Sequence, residues 1–506
     1  MKKPVTVTAA VPARPAPDPF FRFALAGIFL VTFLRAAWLS NNPIDLYPDE
    51  AQYWIWAQHP DWGYFSKPPF VAWMIWATTR LFGDGLLAVK SGALGAYALT
   101  SIAVFVLAAR LYDRRVAAWS AIAFVTLPAV SISSIIISTD VPLLLFWTLA
   151  TYGLVRAREP GGDRWWLLVG VAAGLGLLSK FAMGFWLGSA ALFLTLFADE
   201  RRHWRGFLWA LAFAVVIYAP NLVWNWDHGF VSYRHTADNA DLHGFAIHPL
   251  AFAEFAGAQF GIFGPVFLGT LILIAVRGRA AWADRRDALL LMLALPTLGV
   301  MLVESALSRA QPNWSAPTYV TATILVVAWL GQRGRDAWVQ WSVVLHVAAA
   351  TAVLAIGPVT HRLGIALPGA YDPLHRLHGW SAMGRTLGDM RLREGLPPLL
   401  ADEREFMAAM TYYMEPHPFD MRMWNPGGGV GNGFEMTQSL PDRPGGDYLW
   451  LTQRTDRDEV FRAFESHEQV SHVLVPLGKG LAREVWAYRL KGFKGYHPAP
   501  EAASGQ

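Results

Sequence analysis

The stretch WWLLVGVAAGLGLLSKFAMGFWLGSAALFLTLFA, residues 165–198, decides the class of fold. Lys180 is its one charged residue, and a membrane-spanning helix needs about 20 mostly apolar residues. The chain of 506 residues shares this character, with 54% hydrophobic and 16% charged residues, whereas soluble domains carry about 25% charged residues. This composition predicts a membrane protein and excludes a disordered chain, a collagen and a charged nucleic-acid binder.

Eleven apolar stretches are candidates for membrane spans. They lie at about 20–38, 86–109, 116–137, 141–155, 165–179, 182–198, 206–224, 260–276, 288–303, 315–331 and 338–356. The fourth and fifth are short, and Lys180 alone separates the fifth from the sixth. We therefore predict an all-α, multi-spanning helical bundle of about 11–13 spans.

The basic residues of the connections are concentrated on one side of the predicted bundle, because every second connection is rich in them. One set of connections carries Lys2, Lys3, Arg14, Arg22, Arg110, Arg114, Arg115, Arg156, Arg158, Arg164, Arg201, Arg202, Arg205, Arg277, Arg279, Arg285, Arg286, Arg333 and Arg335. The connections of the other set carry fewer basic residues, among them Lys67, Lys180, Arg234 and Arg309. Because cytoplasmic loops are rich in Lys and Arg, the amino terminus is predicted inside and the carboxyl terminus outside. The chain is then a multi-pass protein of the inner membrane, with an uncleaved first span.

Three regions follow from these patterns. Residues 1–19 are rich in proline and predict a disordered cytoplasmic tail. Residues 20–356 form the membrane domain. From residue 357 charged residues become frequent, so 357–506 is predicted to be a soluble α/β domain on the outer, periplasmic side.

Within this last region, local patterns predict individual elements. Tyr448–Leu451 and His472–Pro476 are predicted strands. Between them, Asp456–Glu468 is predicted to be an amphipathic helix with Val460, Phe461 and Phe464 on one face.

Acidic residues beside the membrane are the first functional signal. The long connection 39–85 contains Asp49 and Glu50, and Asp140 follows the third span. The charge-derived topology brings these three acids to the same, outer face, although the positions of the spans were not chosen to do so. Ionisable residues at such places are energetically expensive, so a site is predicted there. Its carboxylates would deprotonate a hydroxyl or hold a divalent cation, and Lys67 would face a phosphate.

A structural alternative exists for each acid. Asp49 could cap a helix running from Glu50 to Ala57, and Asp140 could cap the span that begins at Val141. A capping aspartate can still face a ligand, so the two interpretations are compatible.

Other polar residues give weaker signals. Lys180 could contact an anionic lipid head or simply extend to the interface. The segment 221–248 contains several histidines without zinc-site spacing and is predicted to be a solvated loop, with Arg234 as its phosphate-binding candidate. The run Gly427–Gly433 lacks the lysine of a nucleotide loop and is predicted to be a flexible surface loop. The chain has no Cys, which excludes thiol catalysis and Cys-based zinc sites.

An ordered series of motifs resembles one family. The motifs are Asp49-Glu50-Ala51-Gln52-Tyr53-Trp54, Gly63-Tyr64-Phe65-Ser66-Lys67-Pro68-Pro69, Ser138-Thr139-Asp140-Val141-Pro142-Leu143, Leu178-Ser179-Lys180-Phe181, Pro220-Asn221-Leu222-Val223-Trp224-Asn225 and Gln311-Pro312-Asn313-Trp314. Together they resemble the bacterial glycosyltransferases of family 39, which are similar to protein O-mannosyltransferases and to lipid A aminoarabinose transferases. The resemblance covers most of residues 20–331 and, more loosely, the carboxyl-terminal region.

The resemblance implies a fold of the GT-C type and an active site at the outer face. It implies transfer, with inversion, of a sugar from a polyprenyl-phosphate donor to lipid A, an envelope glycan or a protein, among membrane lipids and without nucleic acid. Asp49 and Asp140 match the family's two acids, Glu50 accompanies Asp49, and Lys67 lies near the donor phosphate. We add Lys180 and Arg234 as donor-phosphate candidates.

A divalent metal on Asp49, Glu50 and Asp140 is an open possibility, and no other cofactor is expected. Ser66 stands where the aminoarabinose transferases carry a metal-binding glutamate, which argues against zinc and against aminoarabinose as the sugar.

Two other functions compete with this one. A polysaccharide ligase or polymerase would use a lipid-diphosphate donor, and the sequence does not distinguish one phosphate from two. A transporter or flippase would carry charged residues deep within its spans, whereas Arg35 and Lys90 are the main such residues here.

Overall fold

The computed structural model of the protein describes residues 18–42, 44–240, 247–277, 279–308, 310–363 and 372–496. Residues 1–17 of the predicted tail, His243 and Arg309 lie outside these ranges. Up to Arg362 the described chain is helical. Its helices are α1 Pro19–Asn41, α2 Pro48–Gln58, α3 Phe70–Phe82, α4 Leu86–Leu111, α5 Arg114–Thr126, α6 Pro128–Ser133, α7 Asp140–Ala157, α8 Trp165–Ser179, α9 Met183–Leu196, α10 Trp204–Asp227, α11 Val231–Ala240, α12 Pro249–Phe263, α13 Pro265–Val276, α14 Arg279–Ala283, α15 Arg285–Leu307, α16 Thr318–Gly331 and α17 Asp336–Arg362.

Several of these helices are long and apolar enough to cross a membrane, so the protein is a multi-pass membrane protein. Five helical stretches meet that criterion in the described ranges, and α12 with α13 would make a sixth despite a bend of 114° between them. Four shorter apolar helices are α3, α8, α9 and α16. The structure therefore divides the predicted stretches into fewer long helices and more short ones than we expected.

Proline and glycine explain two of these divisions. The predicted span 116–137 breaks between α5 and α6 because Pro128 follows Leu127, whose backbone is not helical at φ −47° and ψ 138°. The predicted span 260–276 contains the bend between α12 and α13. Gly264 adopts φ +85° there, a conformation that other residues rarely adopt.

The bundle is held together by apolar packing and by close helix contacts. Trp147, Trp186 and Phe193 are fully buried. Helix α8 approaches α10 through Gly170 and Gly174, where an added Cβ would lie 2.6 Å from the Ala210 carbonyl oxygen and 2.7 Å from the Ile217 Cβ. Small residues at such positions let transmembrane backbones come together.

The connection 39–85 contains more helix than predicted. Helix α2 begins at Pro48, with Tyr47 as its N-cap residue, and the Glu50 carboxylate accepts a hydrogen bond from the Tyr47 amide at 2.8 Å. Asp49 is therefore the second helical residue rather than the cap. Asp140 is likewise the first residue of α7 and makes no capping bond, because Thr139 occupies the cap position.

The carboxyl-terminal region forms a mixed sheet with helices. Its elements are α18 Trp380–Arg393, β1 Leu399–Ala401, α19 Arg404–Tyr413, β2 Arg422–Met423, α20 Gly433–Gln438, β3 Tyr448–Thr452, α21 Asp458–Arg462, β4 Phe464–Gly478 and β5 Leu481–Phe493. The strand order is β2-β1-β3-β5-β4, with β1 parallel to β2 and β3, and β5 antiparallel to β3 and β4. This arrangement confirms the predicted sheet domain.

Both predicted strands are present, within β3 and β4, but the helix predicted for Asp456–Glu468 is wrong over its second half. Helix α21 ends at Arg462, and Phe464 already pairs with Phe493 in the sheet. Val460 and Phe464 are both buried in one apolar cluster. A short helix followed by a strand buries them as well as one long helix would, so the pattern did not distinguish the two.

The sheet domain is anchored to the segment before α2 and to the connection between α3 and α4. The Leu46 amide donates to the Tyr413 hydroxyl at 2.6 Å, and the Tyr412 hydroxyl donates to the Asp84 carbonyl at 2.8 Å. The Asp45 carboxylate accepts from the Ser381 amide at 3.1 Å. These bonds place α19 beside α2, and with it the residue that begins α19, Arg404.

Candidate active site

Helix α2 presents one polar face to a large cavity. Asp49, Gln52 and Tyr53 lie three and four positions apart and so share this face. The cavity, which we call the first cavity, has a volume of about 730 Å³. Its lining residues are Asp49, Gln52, Tyr53, Phe65, Ser66, Lys67, His235, Asp238, Asn239, Gln311, Trp314, Arg404, Gly431, Asn432 and Gly433.

Asp49 is paired with Arg404 of the sheet domain. One guanidinium nitrogen of Arg404, Nη1, donates to Asp49 Oδ1 at 2.8 Å and to Gln52 Oε1 at 2.7 Å. The Asp49 side chain is still 39% exposed. The carboxylate is thus oriented by a cation and remains open to the cavity.

Lys67 carries the charge at the centre of the site. It lies on the connection before α3, and its charge interacts with those of Lys180, Asp49, Asp140 and Arg404. Burial, and then the neighbouring charge of Lys180, lower the pKa of the Lys67 ammonium below its usual value. An anion that bound here would relieve both effects, since it would offset the positive charge.

Asp140 and Lys180 form a second ion pair. Lys180 Nζ donates to Asp140 Oδ1 at 2.7 Å, and Asn313 Nδ2 donates to Asp140 Oδ2 at 3.0 Å. The Asp140 side chain is 8% exposed and that of Lys180 is 20% exposed. Lys180 lies at the break between α8 and α9, so it neither extends freely to the interface nor depends on a lipid head for its counter-charge.

An apolar groove reaches the same ion pair. Its volume is about 560 Å³. It runs between α5, α6, α7, α12 and α17, and its lining includes Asp140 and Asn313 at one place and apolar side chains such as Phe124, Leu144 and Val353 elsewhere. The groove and the first cavity therefore approach each other at the cluster of Lys67, Asp140 and Lys180.

The proteins that this chain resembles are glycosyltransferases. Residues 66–224 match the family model of dolichyl-phosphate-mannose-protein mannosyltransferases. The lipid A galacturonosyltransferase RgtD of Rhizobium johnstonii is 29% identical over 455 residues, which is 88% of this chain and 95% of that protein. The undecaprenyl phosphate-alpha-4-amino-4-deoxy-L-arabinose arabinosyl transferase of Pseudomonas aeruginosa strain UCBPP-PA14 is 28% identical over 320 residues, 58% of this chain and 56% of that protein.

A solved structure shares the fold. The crystal structure of ArnT from Cupriavidus metallidurans bound to undecaprenyl phosphate has a TM-score of 0.61 to this chain at 16% identity, covering 93% of this chain and 98% of that one. This chain is a membrane glycosyltransferase similar to family 39. The likeness to ArnT shows that the enzyme has the GT-C fold, as the sequence motifs implied.

In this glycosyltransferase Glu50 lies away from the cavity. One carboxylate oxygen accepts from Lys90 Nζ at 2.7 Å and from the Tyr47 amide, and the other accepts from the Ile137 amide at 2.7 Å. Both Glu50 and Lys90 are fully buried. The carboxylate therefore joins α2 to α4 and to the segment before α7.

The three acids do not assemble into a metal site. In the parts of the chain that the structure describes, no three His, Asp or Glu side chains are grouped closely enough to hold an ion. Glu50 uses both oxygens internally, and Asp49 and Asp140 are each paired with a cation. The residues present thus do not fit a shared divalent metal.

Arg234 does not reach the first cavity. Helices α10 and α11 replace the loop predicted for much of 221–248, and Arg234 is exposed on α11, where its Nη2 lies near Gly229. The neighbouring His235 lines the cavity instead. Burial, and then the charge of Lys67, lower the pKa of His235.

Two parts of the site were missed from the sequence. Arg404 belongs to a region with many exposed arginines, so nothing local marked it. The Gly427–Gly433 run was expected to be a free surface loop, but Gly431, Asn432 and Gly433 line the cavity. Asn432 caps α20 by accepting from the Phe434 amide at 2.9 Å, and a Cβ on Gly433 would lie 3.2 Å from Gln52 Nε2. A side chain at this position would require Gln52 of α2 to shift by a few tenths of an ångström.

Proposed function

We propose that the enzyme transfers a sugar from a polyprenyl-phosphate donor to lipid A or the lipopolysaccharide core. We propose further that the sugar is a hexuronic acid such as galacturonic acid. The observation that carries this proposal is the position of Lys67, which lines the polar first cavity and lies close to Lys180 and to Asp140, a residue that lines the apolar groove. Similarity to the galacturonosyltransferase RgtD extends over nearly the whole chain, whereas similarity to the arabinosyl transferase covers little more than half.

The groove and the cations match the two halves of such a donor. A polyprenyl chain is apolar and would lie in the groove, because burying apolar surface there is favourable. Its phosphate would then meet Lys67, which lines the first cavity, and the neighbouring Lys180.

Asp49 is the proposed general base. The acceptor hydroxyl attacks the anomeric carbon on the face opposite the phosphate, the bond from that carbon to the phosphate oxygen breaks, and its electron pair stays on the phosphate. Asp49 takes the hydroxyl proton, while Lys67 and Lys180 offset the charge that develops on the leaving phosphate. Inversion follows from attack on the opposite face.

Asp140 and Glu50 are proposed positioning residues. Asp140 is buried and paired, so it acts through Lys180 and Asn313, whose side chains it holds. Glu50 acts through α2, because its bonds to Lys90 and Ile137 fix the helix that carries Asp49. Because Arg234 is exposed on α11 and does not line the first cavity, we leave it out of the proposed donor site.

The proposed orientation puts the site on the periplasmic side of the inner membrane, with the amino terminus in the cytoplasm. Residues 20–356 are the catalytic bundle, and 357–506 form the outer domain. Ion pairs support the alternation of sides, because they join predicted cytoplasmic connections to one another. Examples are Arg110 with Glu159, Arg158 with Glu200, and Arg285 with Asp199.

Purified enzyme in lipid nanodiscs tests the function directly. Undecaprenyl-phosphate galacturonic acid and lipid A are supplied, and sugar transfer is followed by mass spectrometry. We expect transfer by the native enzyme, its loss in Asp49→Asn, and its retention in Asp389→Asn, an exposed acid on α18 outside the cavity. Transfer only from a lipid-diphosphate donor would instead identify a ligase or polymerase. Full activity of Asp49→Asn would exclude Asp49 as the general base.

A further inference from the structure

A second cavity lies beside the first and is lined mostly by residues of the sheet domain. Its volume is about 500 Å³. Its lining includes Pro48, Arg376, Trp380, Glu405 and Arg483. The donor groove and the base of the proposed function do not account for it.

The two cavities share a wall. Pro48 and Glu405 line the second cavity, and the residues next to them in the chain, Asp49 and Arg404, line the first. The hydrogen-bonded pair of Asp49 and Arg404 thus stands between them. A molecule seated in the second cavity would approach Asp49 from the side of the sheet domain, whereas Lys67 belongs to the first cavity.

Arg483 is held rigidly at this cavity. Its guanidinium lies 3.6 Å from the centroid of the Trp380 ring, its Nε donates to the His378 carbonyl at 2.9 Å, and its Nη2 donates to the Arg376 carbonyl at 3.2 Å. These hydrogen-bond partners are neutral carbonyl groups. Among the described residues no carboxylate is bonded to this half-buried guanidinium, although Asp45, Glu405 and Glu403 lie near enough for their charges to act on it. A charge removed from water in this way favours an anionic partner.

Arg376 provides a second guanidinium. It lies 4.8 Å from the centroid of the Tyr47 ring, and its Nη2 is 3.5 Å from Glu405 Oε1. Glu405 is shared, because Arg404 is also 3.5 Å away. Glu484, the other acid at the cavity, lies 3.6 Å from His472. The side chain of Arg376 is 56% exposed, so it can move to meet a ligand.

We propose that the second cavity binds the acceptor, through an anionic group that Arg376 and Arg483 recognise on a saccharide. The anionic group is a phosphate or a sugar carboxylate, since a guanidinium binds both in the same bidentate geometry. This inference rests on the proposed glycosyl transfer and assigns its acceptor side. The acceptor lies on the polar side of Asp49, and the lipid donor lies on the apolar side.

Steady-state kinetics with the full-length enzyme in nanodiscs tests the assignment. The variant Arg376→Gln is compared with native enzyme and with Arg462→Gln, which removes an exposed arginine of α21 that does not line the cavity. We expect Arg376→Gln to raise the acceptor KM about tenfold or more, because a hydrogen bond to a charged group is lost. The donor KM and the Arg462→Gln enzyme should stay near native values.

Three acceptors distinguish the sources of the anion. They are lipid A with its phosphates, lipid A from which the phosphates have been removed, and a dephosphorylated lipid A that carries a uronic acid. The effect of Arg376→Gln should disappear with the second acceptor. If the enzyme recognises a carboxylate, the effect should return with the third acceptor. If it recognises a phosphate, the effect should be seen with the first acceptor only. An equal effect with all three, or none with any, would overturn the proposal.

Arg483→Lys gives an independent check, because lysine keeps the charge but cannot keep both carbonyl bonds and the stacked plane. We expect the acceptor KM to rise in this variant also, while the thermal unfolding midpoint reports whether the fold is intact. A separate binding measurement uses the deacylated, bis-phosphorylated glucosamine disaccharide without donor. If native enzyme transfers no sugar but binds this disaccharide through Arg376, the proposed function fails and the site stands. If native enzyme transfers sugar but Arg376→Gln changes only the donor KM, the proposed function stands and the assignment of the second cavity to the acceptor is wrong.

Discussion

Arg404 Nη1 lies 2.8 Å from Asp49 Oδ1, although 355 positions separate the two residues in the chain. Asp49 is the second residue of α2, and Arg404 is the first residue of α19 in the sheet domain. The contact makes the sheet domain part of the candidate active site. The carboxyl-terminal region therefore does more than cover the bundle.

Replacing Arg404 should impair the chemical step more than donor binding. In Arg404→Gln the Asp49 carboxylate loses its charged partner and is free to rotate away from the acceptor. A hydrogen bond to a charged group contributes about 1.5–3 kcal/mol, so we expect kcat to fall about 10- to 150-fold. Arg404→Lys should recover part of the loss, since it restores the charge but not the planar donor group. An unchanged kcat in Arg404→Gln would show that Asp49 does not need this orientation.

Donor affinity should depend on pH through Lys67. Because burial and then Lys180 lower the pKa of Lys67, this lysine loses its proton at a lower pH than an ordinary one. A bound phosphate favours the protonated form, so the affinity for undecaprenyl phosphate is highest below that pKa and falls as pH rises through it. The measurement is the dissociation constant between about pH 7.5 and about pH 10, a range in which a phosphate monoester with a second pKa near about 6 does not change charge.

Lys67→Arg is the matched variant for this pH series. Arginine stays protonated throughout the range, so its affinity should change much less with pH than that of the native enzyme. Identical pH profiles for the two proteins would show that another group, such as Lys180, governs phosphate binding.

The buried pair of Glu50 and Lys90 should be required for stability. Both side chains are fully buried and 2.7 Å apart, and removing one partner of such a pair costs about 3–5 kcal/mol because the other charge is left alone. Glu50→Gln should therefore lower the thermal unfolding midpoint, and the double variant with Lys90→Met should recover much of the loss. Arg110→Gln, which breaks an exposed pair with Glu159, should change stability by at most about 1 kcal/mol. Equal effects of Glu50→Gln and Arg110→Gln would contradict this role.

The sequence predicted those residues of the candidate site that stand out within a short local motif. Asp49, Lys67 and Asp140 were found because a charged residue beside an apolar stretch stands out, and the fold class followed from the same contrast. The role of Glu50 could not be read from its neighbour Asp49, since adjacent helical residues face different directions and only the fold shows that Glu50 meets Lys90. Arg404 and Gly433 were missed because their meaning lies in contacts with α2, hundreds of residues away in the chain.

A reporter fusion tests the proposed sides of the membrane. Alkaline phosphatase, active only in the periplasm, is fused after Gln506 and, in a second protein, after Arg202, which lies in a predicted cytoplasmic connection. We expect activity from the first fusion and little from the second, because the arginine-rich connections stay in the cytoplasm. Activity from the Arg202 fusion would place Asp49 and Asp140 on the cytoplasmic side and remove the proposed periplasmic site.

A double-mutant cycle decides whether Asp140 acts through Lys180. The two side chains are 2.7 Å apart, and Asp140 is almost enclosed. If Asp140 only positions Lys180, then Asp140→Asn and Lys180→Met should each weaken undecaprenyl phosphate binding, and the double variant should bind no more weakly than Lys180→Met alone. The Asp336→Asn and Arg115→Met cycle provides the control, because that pair of α17 and α5 is more exposed and does not line the groove or the first cavity. Additive losses in the Asp140 and Lys180 cycle, together with a fall in kcat specific to Asp140→Asn, would instead mean that Asp140 contacts the reacting groups itself.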